Sequence, residues 1–171
     1  MQLRPALETE DSILAEHFYQ MWRDIGIPAD QIRPNWQPLV IDFVAHARAH
    51  LGFQAFVAEA SEGRLVGSTS CQQFAGLYPL ILKPSQNLRG YVWGVYVEAG
   101  YRRQGIGRQL TRLAVEHLRQ IGCTHALLNA APMGRSIYEG LGFEAANQMT
   151  LNLMETTNDP NNLFQDPPQQ S

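Results

Sequence analysis

The chain has 171 residues, 44% of them apolar and 17% charged, with a formal net charge of −3 at pH 7. That length suits one domain with its own core, and the slight acidity argues against general binding to nucleic acid or to an anionic membrane surface. No apolar run approaches the length of a membrane span. The two cysteines, Cys71 and Cys123, follow no recognisable signal peptide, so a reducing cytoplasm is expected and not a disulfide scaffold.

Gln2 to Arg4 reads as a short strand. Thr9 is a plausible N-cap with Glu10 and Asp11 behind it, and Leu14, Phe18, Met21, Trp22 and Ile25 then share one helical face until Gly26 and Pro28. The stretch from Gln31 to Pro38 holds two prolines and reads as a connection, followed by a second helix from Leu39 to His50. The period then changes. Phe53 to Ala60 and Arg64 to Phe74 are β-like runs joined through Ser61-Glu62-Gly63, a hairpin signal.

Ala75 to Asn87 reads mostly as loop. Leu88 to Val97 is a strand with glycines at 90 and 94, where a bulge or a close approach is expected. A helix from Gly105 to Gln120 buries Ile106, Leu110, Leu113, Ala114, Leu118 and Ile121. Thr124 to Ala130 is a strand, Pro132 opens a short helix reaching Leu141, and Phe143 to Leu153 is a last strand. The tail from 156 to 171 is poor in apolar residues and reads as disordered or loosely docked, leaving residues 1–155 as the domain. The order β-α-α-β-β-β-α-β-α-β predicts one α/β domain around a mixed sheet, with two long-range parallel pairings through right-handed crossovers.

The most informative stretch runs from Val95 to Leu110. A short apolar strand feeds a turn holding Arg102, Arg103, Gly105 and Gly107, then the first turn of an amphipathic helix. Glycines let several backbone N–H groups converge, and a helix start adds unsatisfied donors and the positive end of its dipole. Arg102, Arg103, Arg108 and Arg112 oppose that dipole, which the chain tolerates if they are solvated and which an anion among them explains better.

Arg102-Arg103-Gln104-Gly105-Ile106-Gly107 resembles the Gln/Arg-x-x-Gly-x-Gly/Ala signature of the GNAT superfamily of acetyl-CoA-dependent N-acetyltransferases. A second match lies in Asn129 to Phe143, where Tyr138 precedes Leu141-Gly142-Phe143. By element order the resemblance covers residues 2 to 153. It implies a single GNAT-type α/β domain: a mixed, mostly antiparallel sheet with helices on both faces and splayed central strands.

The resemblance also implies roles. Backbone N–H groups from Arg103 through Gln104, Gly105, Ile106 and Gly107 to Arg108 would cradle the pyrophosphate of acetyl-CoA, with Arg102 contacting phosphate. A Cβ at Gly105 or Gly107 would push that phosphate away. The strand through Val95 and Val97 would pair with the pantetheine arm, and a backbone N–H near Val97 would polarise the thioester carbonyl. Tyr138 would protonate the departing thiolate, and Asn129 would bond the pantetheine or cap the next helix.

The general base is a gap. Many relatives carry a glutamate on the strand before the glycine turn, whereas Leu88 to Val97 has no carboxylate, which leaves Glu98 beyond it or water relays to Glu59 or a histidine. Asp42, His46 and His50 recur at helical spacing, but a solvated polar face explains them better than a metal site, and no metal is expected. The acceptor is a small-molecule or protein amine, framed in this family partly by the first two helices. That points to Tyr19, Trp22, Trp36, Tyr78 and Tyr91 as wall candidates. Relatives are often homodimers. A CoA-binding domain without transferase activity is the alternative, and nucleic-acid binding fits poorly with the net charge.

Overall fold

The fold is described by a computed structural model covering residues 1–76, 79 and 81–150. The strands are β1 (Gln2–Pro5), β2 (Gln54–Glu59), β3 (Leu65–Gln73), β4 (Arg89–Val97) and β5 (His125–Leu127). The helices are α1 (Asp11–Asp24), α2 (Trp36–His50), α3 (Pro84–Asn87), α4 (Ile106–Gln120) and α5 (Arg135–Glu139). The strands lie in chain order in one sheet, antiparallel from β1 to β4, with β5 parallel to β4.

Each face of the sheet buries its own core. Phe56, Val66, Cys71 and Val92 pack against Ile106, Leu110, Ala114 and Leu118 of α4. On the other face Ala55, Val57 and Leu65 meet Leu14 of α1 and Val44 and Ala47 of α2. The stripe expected on α4 is the one that packs, with Thr111 added because its hydroxyl returns to the Gly107 carbonyl at 2.8 Å. Gly90 marks a close approach: a Cβ there would stand 2.6 Å from Leu118 Cδ2.

Several local expectations need correction. A 3-10 turn over Glu8–Glu10 precedes α1, so Thr9 does not cap it. Glu10 is instead drawn to Arg4, 2.6 Å away, and accepts from the Leu7 N–H at 2.7 Å. The buried face of α1 comprises Leu14, Ala15 and His17, leaving Trp22 and Ile25 each 40% exposed. Helix α2 starts at Trp36 because Pro38 falls in its first turn, where the missing N–H costs nothing. The strand expected from Thr124 to Ala130 pairs only over β5, where β4 runs beside it. Residues 143–150 form no strand, and 151–153 lie outside the described residues, as does the tail. Among the described residues the sheet has one parallel pairing and not two.

Candidate active site

The site begins with one extra residue in β4. Ser70 lies opposite Trp93 and Ser68 opposite Tyr96, so one residue of β3, Thr69, faces two of β4, Gly94 and Val95. Gly94 takes up the surplus at φ 63°, a left-handed conformation that other residues enter at a cost. A one-residue insertion reverses every side chain beyond it. Val95 and Val97 therefore join the α4 face, while Tyr96 joins the α1 face and sits 4.9 Å from the His17 ring.

The bulge also sets the backbone edge. Glu98 N–H donates to the Val66 carbonyl at 2.9 Å, and Tyr96 lies opposite Ser68. Antiparallel ladders alternate, so Val97 turns its own N–H and C=O away from β3. On that side the β4–β5 pairing stops at Tyr91 and Leu127. Among the described residues no strand pairs with Val95 or Val97 there. This is the splay expected of the central strands.

The turn after β4 brings a second set of donors to this edge. Arg103 sits at φ 61° and Gly105 at φ 79°, two left-handed residues in one short loop. A non-glycine residue held so stores strain, a cost met most often at functional sites. Gly105 is the N-cap of α4, so no side chain caps the helix, and its first turn holds no acidic residue. The early N–H groups of α4, near Ile106 and Gly107, are thus orphan donors at the positive end of the dipole.

The arginines do not gather round this cradle as expected. Arg102 turns inward: its Nε donates to the Val97 carbonyl at 2.7 Å, its terminal nitrogen pairs with Asp24, and its plane lies over the Tyr96 ring. Arg108 donates to the Gly140 carbonyl at 3.1 Å, tying α5 to the start of α4. Arg103, Gln104 and Arg112 are exposed. The expected reason for Gly107 also changes. A Cβ there would face Val97, Ile137 and Val95 at 3.8 to 4.0 Å, ordinary contact and toward the protein, so the position has room for a methyl.

Tyr138 stands on α5 beside this corner. Its ring lies against Gly134, where a Cβ would be 3.2 Å from Cε2, and meets Phe143 edge-on at 6.1 Å. Gly142 ends the helix by returning its N–H to Glu139, and Phe143 donates to the Tyr138 carbonyl at 3.0 Å. The Leu-Gly-Phe ending is therefore what seats the tyrosine. Burial pushes its phenol above the ordinary tyrosine value, so it holds its proton. Asn129 is exposed just past β5.

The base candidates are engaged elsewhere. Glu59 binds Arg4 at 2.6 Å on β2, two strands from the open edge. Glu98 is ion-paired with Arg64. His17 is 5% exposed, its Nδ1 is 3.0 Å from Ser68 Oγ, and desolvation lowers its pKa.

The aromatic wall does not form as one surface. Tyr19 stacks on Trp36 at 4.6 Å, Trp22 abuts Phe18, and Tyr91 stacks on Phe74. Tyr78 lies outside the described residues. An open groove of about 970 Å³ is lined instead by Glu10, Glu16, His17, Gln20, Tyr96 and Glu98, with Arg64 and others. Sequence reasoning missed it because its lining comes from α1, α2, the β2–β3 hairpin and the turn after β4. Asp42, His46 and His50 are exposed, and no metal-holding cluster of three His, Cys, Asp or Glu exists among the described residues.

An opened sheet edge thus lies beside an uncapped helix start. The chain belongs to the acetyltransferase (GNAT) family, whose model matches residues 15–143. Acetyl-CoA is the acyl donor of that family, and the orphan donors of α4 and the free β4 edge fit such a ligand. The fold is similar to a GCN5-related N-acetyltransferase from Ralstonia eutropha JMP134, at 24% identity and TM-score 0.76, over 90% of this chain and 98% of that one. It is also similar to a predicted acetyltransferase with acetyl-CoA from Clostridium acetobutylicum, at 19% identity and TM-score 0.77, over 91% and 98%. Glucosamine-6-phosphate N-acetyltransferase from Arabidopsis thaliana shares 14% identity at TM-score 0.62, over 89% and 97%. No curated protein matches the chain. No helix among the described residues is long and apolar enough to cross a membrane.

Proposed function

We propose that the protein is an N-acetyltransferase moving an acetyl group from acetyl-CoA directly to a primary amine of a small molecule or protein. The observation that carries this is the meeting of two unsatisfied donor sets, the uncapped start of α4 and the unpaired edge of β4 at Val97. The backbone from Arg103 to Arg108 holds the pyrophosphate. Val95 and Val97 align the pantetheine arm, with Asn129 across the gap. The Val97 N–H donates to the acyl oxygen as charge develops on it, a kind of contact worth about 3 kcal/mol.

The amine nitrogen attacks the acyl carbon, the C–S bond breaks, Tyr138 gives its proton to the thiolate, and the phenolate regains one from the nitrogen as the amide forms. With Glu59 and Glu98 both ion-paired, the amine sheds its proton to water. Of the groove's three carboxylates, Glu10 and Glu98 are ion-paired with Arg4 and Arg64, and Glu16, bonded only to Gln20, is the one that supports a cationic acceptor. Two free thiols, Cys71 and Cys123, support a cytoplasmic setting, and burial pushes the Cys71 thiol up to about 12, which makes it a poor nucleophile.

Thiol release from acetyl-CoA across a panel of amines tests the reading. Amine-dependent release is expected. Tight acetyl-CoA binding without release from any amine would favour a silent CoA-binding domain, for which the ion-paired carboxylates are the motive.

A further inference from the structure

We propose that Asp24, the last residue of α1, is a positioning residue for the acyl donor, acting through Arg102 on the edge of β4. The inference rests on the transferase reading above. The peptide group joining Val97 to Glu98 is held at both ends. Its N–H donates to Val66 at 2.9 Å, and its carbonyl accepts from Arg102 Nε at 2.7 Å. That carbonyl would otherwise be a free acceptor on the open edge, beside the Val97 N–H that faces the acyl group. With it occupied, the edge at Val97 offers a donor alone.

A guanidinium on one acceptor can swivel about that bond, whereas a second anchor fixes its plane. Asp24 supplies the second anchor, and the Tyr96 ring lies 5.9 Å beneath the guanidinium carbon. The pair is only partly exposed, at 37% for Arg102 and 35% for Asp24. Asp24 thereby couples the helix that lines the acidic groove to the strand that aligns the donor. It also keeps Arg102 off the phosphate cradle, although the sequence alone assigned it there.

The test compares Asp24→Asn with the native protein using two donors, acetyl-CoA and S-acetylpantetheine, which lacks every phosphate of the cofactor. Loss of one charge-assisted hydrogen bond is expected to lower kcat/KM about tenfold, and by the same factor with both donors. Arg102→Lys, which keeps the charge but loses the fork, is expected to do the same. A loss confined to acetyl-CoA would overturn the proposal, because Arg102 would then be reading phosphate. Unchanged kcat/KM with a lowered melting temperature would overturn it too, leaving the pair a merely structural tie. A native protein that turns over neither donor overturns the transferase reading alone. The positioning role is then decided by the dissociation constant of acetyl-CoA, which Asp24→Asn raises about tenfold if the edge needs Asp24 and leaves unchanged if it does not.

Discussion

His17 and Ser68 meet beneath α1, with Nδ1 and Oγ 3.0 Å apart, and this contact fastens the helix to the strand behind the bulge. Desolvation is the main cause lowering the His17 pKa from 6.5, and Glu98 and Glu16 oppose it only in part. The unfolded chain therefore takes up a proton first as the pH falls. Stability from this group is full above 6.5 and is lost on acidification toward the folded value, by at most about 1.4 kcal/mol per pH unit. Urea unfolding between pH 7 and 5 should show that slope, and His17→Gln should remove its share. An unchanged slope in the variant would assign the acid sensitivity to other groups.

Gly105 and Gly107 share a motif but answer to different constraints. Alanine at Gly105 must hold a left-handed conformation, at a cost of about 1–2 kcal/mol, with its methyl 3.9 Å from Gln109 Nε2. Gly107→Ala meets only ordinary contacts and should fold and bind acetyl-CoA as the native protein does. Calorimetry on the two variants separates them. Equal loss of binding would mean that the cradle excludes a methyl at both positions.

Thr69 lies in β3 opposite the bulge, fully buried, and its hydroxyl finds no partner among the described residues. An unpaired buried hydroxyl costs about 1–3 kcal/mol, most of which a methyl of the same shape would recover. Thr69→Val is therefore expected to raise the melting temperature by a few degrees. A fall would show that the hydroxyl is satisfied, by a water for instance.

Tyr138→Phe keeps the ring that packs on Phe143 and removes only the proton donor. Turnover should fall by about 100-fold or more, with acetyl-CoA binding preserved. Because burial raises the phenol pKa, the alkaline loss of activity should not begin below the ordinary tyrosine range. Unchanged kcat would remove Tyr138 from the chemistry.

The sequence made the frame legible where a period or a special residue dictates geometry. The α4 stripe, the hairpin after β2, the glycine turn and the Leu-Gly-Phe ending each encode a local rule, and each stands where it was read. What escaped was set by distant partners. Arg102 looked like a phosphate ligand because its neighbours are arginine and glycine, yet its guanidinium is claimed by Asp24, 78 positions away in the chain. Trp22 and Ile25 fitted the α1 stripe, but the bonded pair of His17 and Ser68 rotates the buried face away from them. The strand after α4 was overextended because its length depends on how far β4 stays beside it. The acidic groove has no sequence signature, since four separate elements build it.

The most direct test is titration of acetyl-CoA into the native protein, beside the 3′-dephospho form, followed by calorimetry and melting temperature. Saturable one-site binding is expected, with a melting temperature that climbs with ligand concentration and a smaller rise without the 3′-phosphate. No heat and no shift at millimolar acetyl-CoA would mean that the α4 start and the Val97 edge do not hold the donor, and the transferase reading would fall.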